Sequence, residues 1–132
     1  MDILTLKIRL AVLWIFMAVA MSAWMLLALM GEGALEEVIS GKVGGTPITD
    51  GLLWFFALFW LIPLIMAFLS VTLKDSTNRW ANVIVGLVFA ILYIIIDVVG
   101  LLLEGETGGH LLIGFSKVVA AIFVVWYAWK WP

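Results

Sequence analysis

The segment from Arg79 to Glu104, RWANVIVGLVFAILYIIIDVVGLLLE, decides the fold class of this chain. Its small, polar and charged residues recur every three or four positions. On a helix, all of them except Ala81 fall in one stripe: Arg79, Asn82, Gly86, Ala90, Tyr93, Asp97, Gly100 and Glu104. A carboxylate such as Asp97 is costly in hydrocarbon unless it faces protein or water. We therefore expect a membrane helix whose striped face packs against other helices.

Composition restricts the chain to the membrane class. Of its 132 residues, 66% are hydrophobic and 12% are charged, whereas about 25% are charged in an ordinary soluble domain. Four apolar runs, about 10–30, 52–73, 80–103 and 111–129, are each long enough to cross a core of about 30 Å as a helix. The first run has no cleavage site before a polar region, so we expect a retained span. The sequence predicts an all-α integral membrane four-helix bundle, with 1–132 as a single transmembrane domain.

Several kinds of chemistry are excluded by residue counts. The chain has no cysteine, which rules out disulfides, thiol redox chemistry and thiolate metal sites. Its one histidine, His110, cannot supply a bis-histidine haem or a di-iron bundle. No nucleophile–base pair is visible. We therefore predict no catalytic residue, no metal, no cofactor and no nucleic-acid partner, and we expect a protein that is not an enzyme.

Charges are distributed unequally between the connections. Five basic residues flank the termini and the middle connection: Lys7, Arg9, Lys74, Arg79 and Lys130. The first and third connections hold Lys42 against six carboxylates: Glu32, Glu36, Glu37, Asp50, Glu104 and Glu106. Because basic connections stay in the cytoplasm, we predict an up-down-up-down topology with both termini cytoplasmic. The six carboxylates then form an outer acidic rim, and their spacing matches no calcium loop.

Local signals predict how the helices begin and pack. Thr46-Pro47 is typical of an N-cap followed by proline at the first helical position. Residues 34–39 suit either a short surface helix or a plain loop. One face of the first helix collects Ala11, Ile15, Ala18, Ser22 and Met25, which favours close packing. Tryptophans are expected at the two membrane interfaces, with Trp14, Trp80, Trp126, Trp129 and Trp131 at one and Trp24 and Trp54 at the other.

One polar site is predicted inside the membrane. Asp97 lies six residues before Leu103, and Lys117 lies six residues after Leu111, so both sit about 9 Å below the hairpin that joins the last two helices. This matched depth predicts an ion pair, with Tyr93 one turn away and Ser22 at a similar depth. The pair either fixes helix register or forms a site where Asp97 takes up a proton or cation. Lys117 as a Schiff-base lysine would need more helices than this chain has.

Two function classes follow from these residues. In the first, the chain is a structural or partner-binding component of the lipid bilayer that forms a homo-oligomer or binds another membrane protein. In the alternative, it is a small oligomeric transporter or channel for ions or protons that uses Asp97. A water-filled opening that reaches Asp97 from the outer side would favour the second class.

Four short stretches carry a resemblance to a known family. They are Leu13–Phe16, Ile62-Pro63 with Leu69-Ser70, Asn78–Asn82 and Val125–Trp131. With them the chain resembles an uncharacterised family of small four-helix prokaryotic integral membrane proteins, a domain of unknown function. The family often carries an acidic residue before the Ile-Pro step, where this chain has Leu61. The resemblance implies the four-helix fold and a prokaryotic cytoplasmic membrane, and it implies no activity.

Overall fold

The computed structural model of the chain describes residues 1–104 and 108–132. Its elements in chain order are α1 (Ile3–Leu29), α2 (Ala34–Ile39), β1 (Lys42–Val43), β2 (Thr46–Pro47), α3 (Asp50–Thr72), α4 (Asp75–Val99), a π-helical segment (Gly100–Glu104) and α5 (Gly108–Trp129). Four of these helices, α1, α3, α4 with its π-helical extension and α5, are long and apolar enough to cross a membrane. The predicted all-α fold with four apolar helices is confirmed.

The four long helices meet along seams of two kinds. The α1 helix packs along both α3 and α5, and α4 packs along α5, whereas the backbones of α3 and α4 come close at few positions. Gly86 explains the tight α4–α5 seam, because a Cβ atom there would lie 2.9 Å from Val124 Cγ1. Aromatic rings fill the wider α3–α4 seam, where the Phe59 and Phe89 centroids lie 5.4 Å apart.

The inward face of α4 follows the predicted stripe. Asn82, Gly86, Ala90 and Tyr93 are all buried. The buried face is wider than predicted, because it also includes Asn78, Val83 and Phe89. A helix that contacts neighbours on more than one side buries a broader arc than a single stripe.

The buried face of α1 differs from the predicted one. Its buried residues are Leu6, Leu10, Trp14, Met17, Ala18, Ala20 and Met21, whereas Ile15 and Ser22 are exposed. Of the predicted small-residue face, Ala18 is the member that is buried. Large side chains are needed here because α1 lies between α3 and α5 and must fill the space to both. Trp14 is 0% exposed, so its ring faces the core of the bundle and does not belong to an exposed aromatic belt.

The start of α3 also corrects a prediction. Thr46 and Pro47 form β2, which pairs antiparallel with β1, so they cap no helix. The N-cap of α3 is Thr49, whose side chain accepts a hydrogen bond from Leu52 N at 3.2 Å. Gly44 and Gly45 adopt positive φ angles in the turn between the two strands, and this turn moves the helix start beyond Pro47. Of the two alternatives for residues 34–39, the short helix is present.

Contacts between side chains define two ends of the bundle. Lys7 forms a salt bridge with Asp75 at 3.2 Å, and Arg79 Nη2 donates to the Trp129 carbonyl at 3.0 Å. The starts of α1 and α4 and the end of α5 therefore share one end, called the basic end here, with Lys7, Arg9, Lys74, Arg79 and Lys130. At this end Asp2 caps α1, and the hydrogen bond from Thr5 N holds the pKa of Asp2 below its ordinary value. The opposite end, which carries α2 and the two strands, is the loop end.

Candidate functional site

Lys117 lies in the core of the bundle and is 0% exposed. Its Nζ atom is 4.6 Å from the centroid of the Trp24 ring and 4.8 Å from that of Tyr93. Met21 Sδ lies 3.6 Å from the same Nζ. Aromatic faces and a polarisable sulfur attract a cation without carrying a formal charge. Residues from α1, α4 and α5 thus surround this ammonium group, and the cluster of Trp24, Tyr93, Asp97 and Lys117 is called the charge cluster below.

Asp97 sits at the α4–α5 seam, directly over Gly114. A Cβ atom on Gly114 would lie 2.5 Å from Asp97 Oδ1, so only glycine leaves room for the carboxylate. Both carboxylate oxygens are buried, and neither accepts a hydrogen bond from a residue that the structure describes. Lys117 lies three residues after Gly114 on α5, on the same face of that helix. Its charge is therefore near Asp97 across the seam, but the carboxylate oxygens accept no hydrogen bond from it.

The two polar residues predicted beside this pair have different positions. Tyr93 is fully buried next to Lys117, and its hydroxyl has no hydrogen bond within the described part of the chain. Ser22 lies instead on the side of α1 that faces α3, where it accepts a hydrogen bond from Trp60 Nε1 at 2.9 Å. Its neighbour Met21 occupies the place beside Lys117, because one residue along a helix rotates the side chain by about 100°. The structure brings Asp97, Tyr93 and Lys117 together and leaves Ser22 outside.

An apolar groove opens beside Asp97 on the outer side of the α4–α5 seam. It encloses about 510 Å³ and is lined by Asp97, Val98, Leu101, Gly108, Leu111, Leu112 and Phe115. Val98, Leu101, Leu112 and Phe115 are exposed, which means that the groove faces away from the bundle. The carboxylate is the one charged group among these lining residues. This Asp97 groove includes the start of the π-helical segment, a geometry that is common at functional sites.

The four described carboxylates of the predicted acidic rim lie at three separate places. Glu32 and Glu37 line a cavity of about 520 Å³ at the loop end, together with Trp24, Phe56 and His110. Glu37 also accepts a hydrogen bond from Gly45 N, which ties α2 to the strand turn. Glu36 is exposed on α2, and Asp50 lies at the start of α3 beside Trp54. Glu106 and the side chain of Glu104 are outside the described residues.

Trp24 separates this loop-end cavity from Lys117. The His110 ring packs on Trp24 with centroids 4.6 Å apart, and both residues line the cavity. Trp24 also provides one of the two aromatic rings beside Lys117. The Trp24 ring therefore lies between the cavity that holds Glu32 and Glu37 and the buried Lys117. Metal binding is a separate question: among the described residues, no group of three or more His, Asp or Glu side chains converges as a metal site.

A second buried polar cluster, which the sequence did not predict, lies toward the basic end. Trp14, Ser70, Asn78 and Asn82 are each 0% exposed, and they are called the amide cluster here. Trp14 Nε1 donates to Asn82 Oδ1 at 2.7 Å. Asn82 Nδ2 donates to Asn78 Oδ1 at 2.7 Å, and Asn78 Nδ2 donates to the Ser70 carbonyl at 2.7 Å. The Ser70 hydroxyl donates to the Met66 carbonyl at 2.7 Å.

The amide cluster joins α1, α3 and α4 through neutral hydrogen bonds. Every side-chain donor in it has an acceptor, so burial leaves no unsatisfied group. One signal was available in the sequence, because Asn78 and Asn82 are four residues apart and share a helix face. That signal alone gives no partner, and both asparagines are also ordinary residues for a helix start.

Three of the four stretches that carry the family resemblance meet in this cluster. Trp14 comes from the first stretch, Ser70 from the second, and Asn78 and Asn82 from the third.

No significant match was found among the curated proteins or among the solved structures. Residues 5–132, nearly the whole chain, match a family of unknown function (DUF6326). The resemblance is confirmed, and the chain belongs to this family of unknown function, DUF6326.

Proposed function

We propose that the chain crosses the cytoplasmic membrane of a prokaryote four times, up-down-up-down, with both termini in the cytoplasm. Four apolar helices of spanning length support this topology. Five of the seven Lys and Arg residues lie at the basic end, and of the others Lys117 is in the core and Lys42 at the loop end. Because basic residues flanking spans remain on the cytoplasmic side, the basic end faces the cytoplasm.

The absence of cysteine from the sequence allows a clean test of this orientation. Single cysteines are placed at two exposed serines, Ser40→Cys at the loop end and Ser76→Cys at the basic end. In intact cells a membrane-impermeant maleimide should label Ser40→Cys alone, and Ser76→Cys should react only after permeabilisation. A reporter fused after Pro132 should be cytoplasmic. Labelling of Ser76→Cys in intact cells would reverse the orientation.

Within that membrane, the chain acts as a non-enzymatic component that binds a second membrane-embedded segment at the Asp97 groove. The observation that carries this proposal is a buried carboxylate without a hydrogen bond from described residues, in a groove that faces outward from the bundle. Acyl chains offer no donor to a carboxylate, and an unsatisfied polar group in hydrocarbon costs several kcal/mol. A partner helix with a donor side chain would supply the missing hydrogen bond to the Asp97 carboxylate.

The residues that line the groove indicate what kind of segment would bind there. The walls are Val98, Leu101, Leu111, Leu112 and Phe115, so the contacting segment is an apolar helix. The carboxylate oxygens are buried, so a hydroxyl, amide or basic side chain on that helix would meet Asp97 after the lining side chains move aside. Polar side chains of this kind hold membrane helices together. A second copy of this chain or another membrane protein fits this description. Water is a poorer occupant, since a water-filled path needs polar walls.

Photo-crosslinking in native membranes tests this proposal. A photoreactive amino acid replaces Leu112 in the groove or, as the matched control, Ile122 on the same helix; both are exposed apolar side chains. The variant at 112 should yield a protein adduct that is lost with Asp97→Leu, and the variant at 122 should yield none. Adducts with lipid alone at both positions would contradict partner binding at this groove.

A second candidate function, transport of protons or cations linked to Asp97, rests on the loop-end cavity. That cavity of about 520 Å³ contains Glu32 and Glu37 and ends at Trp24, which lies against Lys117. Movement of the Trp24 ring would connect the cavity with the charge cluster. Proteoliposomes provide the test: an imposed proton or sodium gradient should decay faster with wild-type protein than with Asp97→Asn. Equal decay in both would leave partner binding as the function.

A further inference from the structure

A small groove lies at the basic end, between the start of α1 and the end of α5. It encloses about 240 Å³ and is lined by Met1, Leu6, Trp126, Tyr127, Lys130 and Pro132. This groove is far from Asp97, which lies toward the other end of α4, so neither function proposed above involves it. It combines exposed basic residues, aromatic rings and apolar side chains at one interfacial position.

One cation, Lys130, lines the groove, and a second, Arg9, lies against the lining residue Tyr127. Aromatic rings contact both of them. Arg9 Nη1 donates to the Tyr127 hydroxyl at 3.4 Å, with the guanidinium carbon 5.8 Å from the ring centroid. Lys130 Nζ lies 4.3 Å from the centroid of Trp126. The Trp126 and Tyr127 centroids are 5.2 Å apart. One aromatic pair therefore positions both cations beside the same groove.

These cations keep most of their hydrogen-bonding capacity. A guanidinium has five N–H donors and an ammonium has three, and contacts with ring faces use none of them. Neither Arg9 nor Lys130 has a salt bridge to a carboxylate within the described residues. Two other basic residues at this end are engaged: Lys7 pairs with Asp75, and Arg79 donates to the Trp129 carbonyl. Lys74 is exposed and does not line the groove. Arg9 and Lys130 are thus the basic residues that have donors available for an anion and also contact the groove's aromatic rings.

We propose that this groove binds the phosphate of an anionic phospholipid, with Arg9 and Lys130 as its two cationic ligands. Arginine suits a phosphate because its planar donors match two oxygens at once, and lysine adds a point charge. Trp126 and Tyr127 are residues of the kind that lie at headgroup level. Leu6 and Met1 give the groove an apolar floor that matches the glycerol and the first acyl carbons. Basic pockets between helices on the cytoplasmic side bind such headgroups.

Native mass spectrometry of the detergent-purified full chain tests the site. Phosphatidylglycerol and phosphatidylcholine of identical acyl chains are titrated against wild type, Arg9→Gln, Lys130→Gln and the matched control Lys74→Gln. Lys74 is an exposed lysine at the same end but outside the groove. Wild type should bind phosphatidylglycerol about tenfold more tightly than phosphatidylcholine, since hydrogen bonds between charged groups carry that much. Arg9→Gln and Lys130→Gln should each lose about that factor, and Lys74→Gln should lose less than about twofold.

Three outcomes would overturn the proposal. Equal affinity for the two lipids would mean that the groove does not recognise a negative headgroup. Equal losses in Arg9→Gln, Lys130→Gln and Lys74→Gln would indicate a diffuse positive surface in place of a site. Displacement of the lipid by equimolar glycerol phosphate would identify a soluble phosphate compound as the ligand. Lys130 is exposed at a helix end, so Lys130→Gln should fold and keep the test decisive even if Arg9→Gln does not.

Discussion

The amide cluster and the charge cluster are both groups of buried polar side chains in the same bundle, but they differ in how many of their polar atoms have hydrogen-bond partners. In the amide cluster, Trp14 and Ser70 donate to acceptors on α4 and α3 at 2.7 Å, and each asparagine amide also has an acceptor. In the charge cluster, the Asp97 oxygens and the Tyr93 hydroxyl have no hydrogen bond from described residues. The first cluster is satisfied within the chain, and the second retains capacity to bind something else.

This difference suggests separate roles: the amide cluster fixes the fold, and the charge cluster is available for function. A neutral hydrogen-bond network whose groups all have partners specifies one arrangement of the helices, and it leaves no buried polar group unpaired. An incompletely satisfied charged group costs stability, and such groups persist where they have another role. The members of the amide cluster come from the stretches that carry the family resemblance, which accords with a role in the shared fold. Four sets of substitutions test this division, from the largest expected effect to the smallest.

The largest effects should come from removing one charge of the Asp97–Lys117 couple. Asp97→Asn removes the carboxylate that lies near Lys117, and Lys117→Met removes the cation that lies near Asp97. Each change should lower the free energy of unfolding in detergent by roughly 3–5 kcal/mol. The double variant removes both charges and should recover much of the loss, which a double-mutant cycle measures. If the two losses simply add, the residues do not interact and the charge cluster is not one unit.

A somewhat smaller loss should follow removal of the central amide. Asn82→Leu removes the acceptor for Trp14 Nε1 and the donor to Asn78. Because these groups stay buried without partners, unfolding should become easier by about 3 kcal/mol. The matched control is Thr77→Ala on the same helix, where the side chain is exposed and the change should stay within about 0.5 kcal/mol. Equal effects at the two positions would mean that the amide cluster does not stabilise the bundle.

Substitution of Gly114 should have an intermediate effect that is confined to the charge cluster. A Cβ atom on Gly114 would meet the Asp97 carboxylate at 2.5 Å, whereas one on Gly109 in the same helix meets nothing within 4 Å. Gly114→Ala should therefore cost about 2 kcal/mol through overpacking. Gly109→Ala should be neutral or stabilise by up to about 1 kcal/mol, since alanine favours helix. Thermal unfolding of the two variants measures the contrast, and similar midpoints would show that Asp97 does not rest on Gly114.

Periodicity and composition predicted the features that depend on one helix at a time. The four apolar helices and the buried positions Asn82, Gly86, Ala90 and Tyr93 follow from spacing along the chain. Features that depend on two helices were harder to predict. Ser22 and Met21 differ by one position, and only the placement of α3 and α5 around α1 decides which of them faces Lys117.

Two further misses have the same physical origin. The sequence predicts Trp14 in an aromatic belt because tryptophans often lie at interfaces, but an acceptor on another helix, Asn82, allows its N–H group to be buried. Thr46-Pro47 has the composition of a helix start, but the glycine turn before it supports a strand pair. In both cases the deciding factor was a contact with another part of the chain, Asn82 for Trp14 and strand β1 for Thr46-Pro47, and local sequence preference does not reveal such contacts.

The smallest effect should come from Tyr93→Phe, and it gives the sharpest test of the comparison. The Tyr93 ring is buried between Phe59, Phe89 and Lys117, while its hydroxyl has no hydrogen bond from described residues. Phenylalanine keeps the ring and its attraction for the lysine, so the free energy of unfolding should change by less than about 0.5 kcal/mol. Ser70→Ala is the counterpart in the amide cluster, and it should cost about 1 kcal/mol because its hydroxyl is hydrogen-bonded at 2.7 Å. If Tyr93→Phe lowers the free energy of unfolding more than Ser70→Ala does, the Tyr93 hydroxyl already has a hydrogen-bond partner. The charge cluster would then have fewer unsatisfied polar atoms than the geometry indicates.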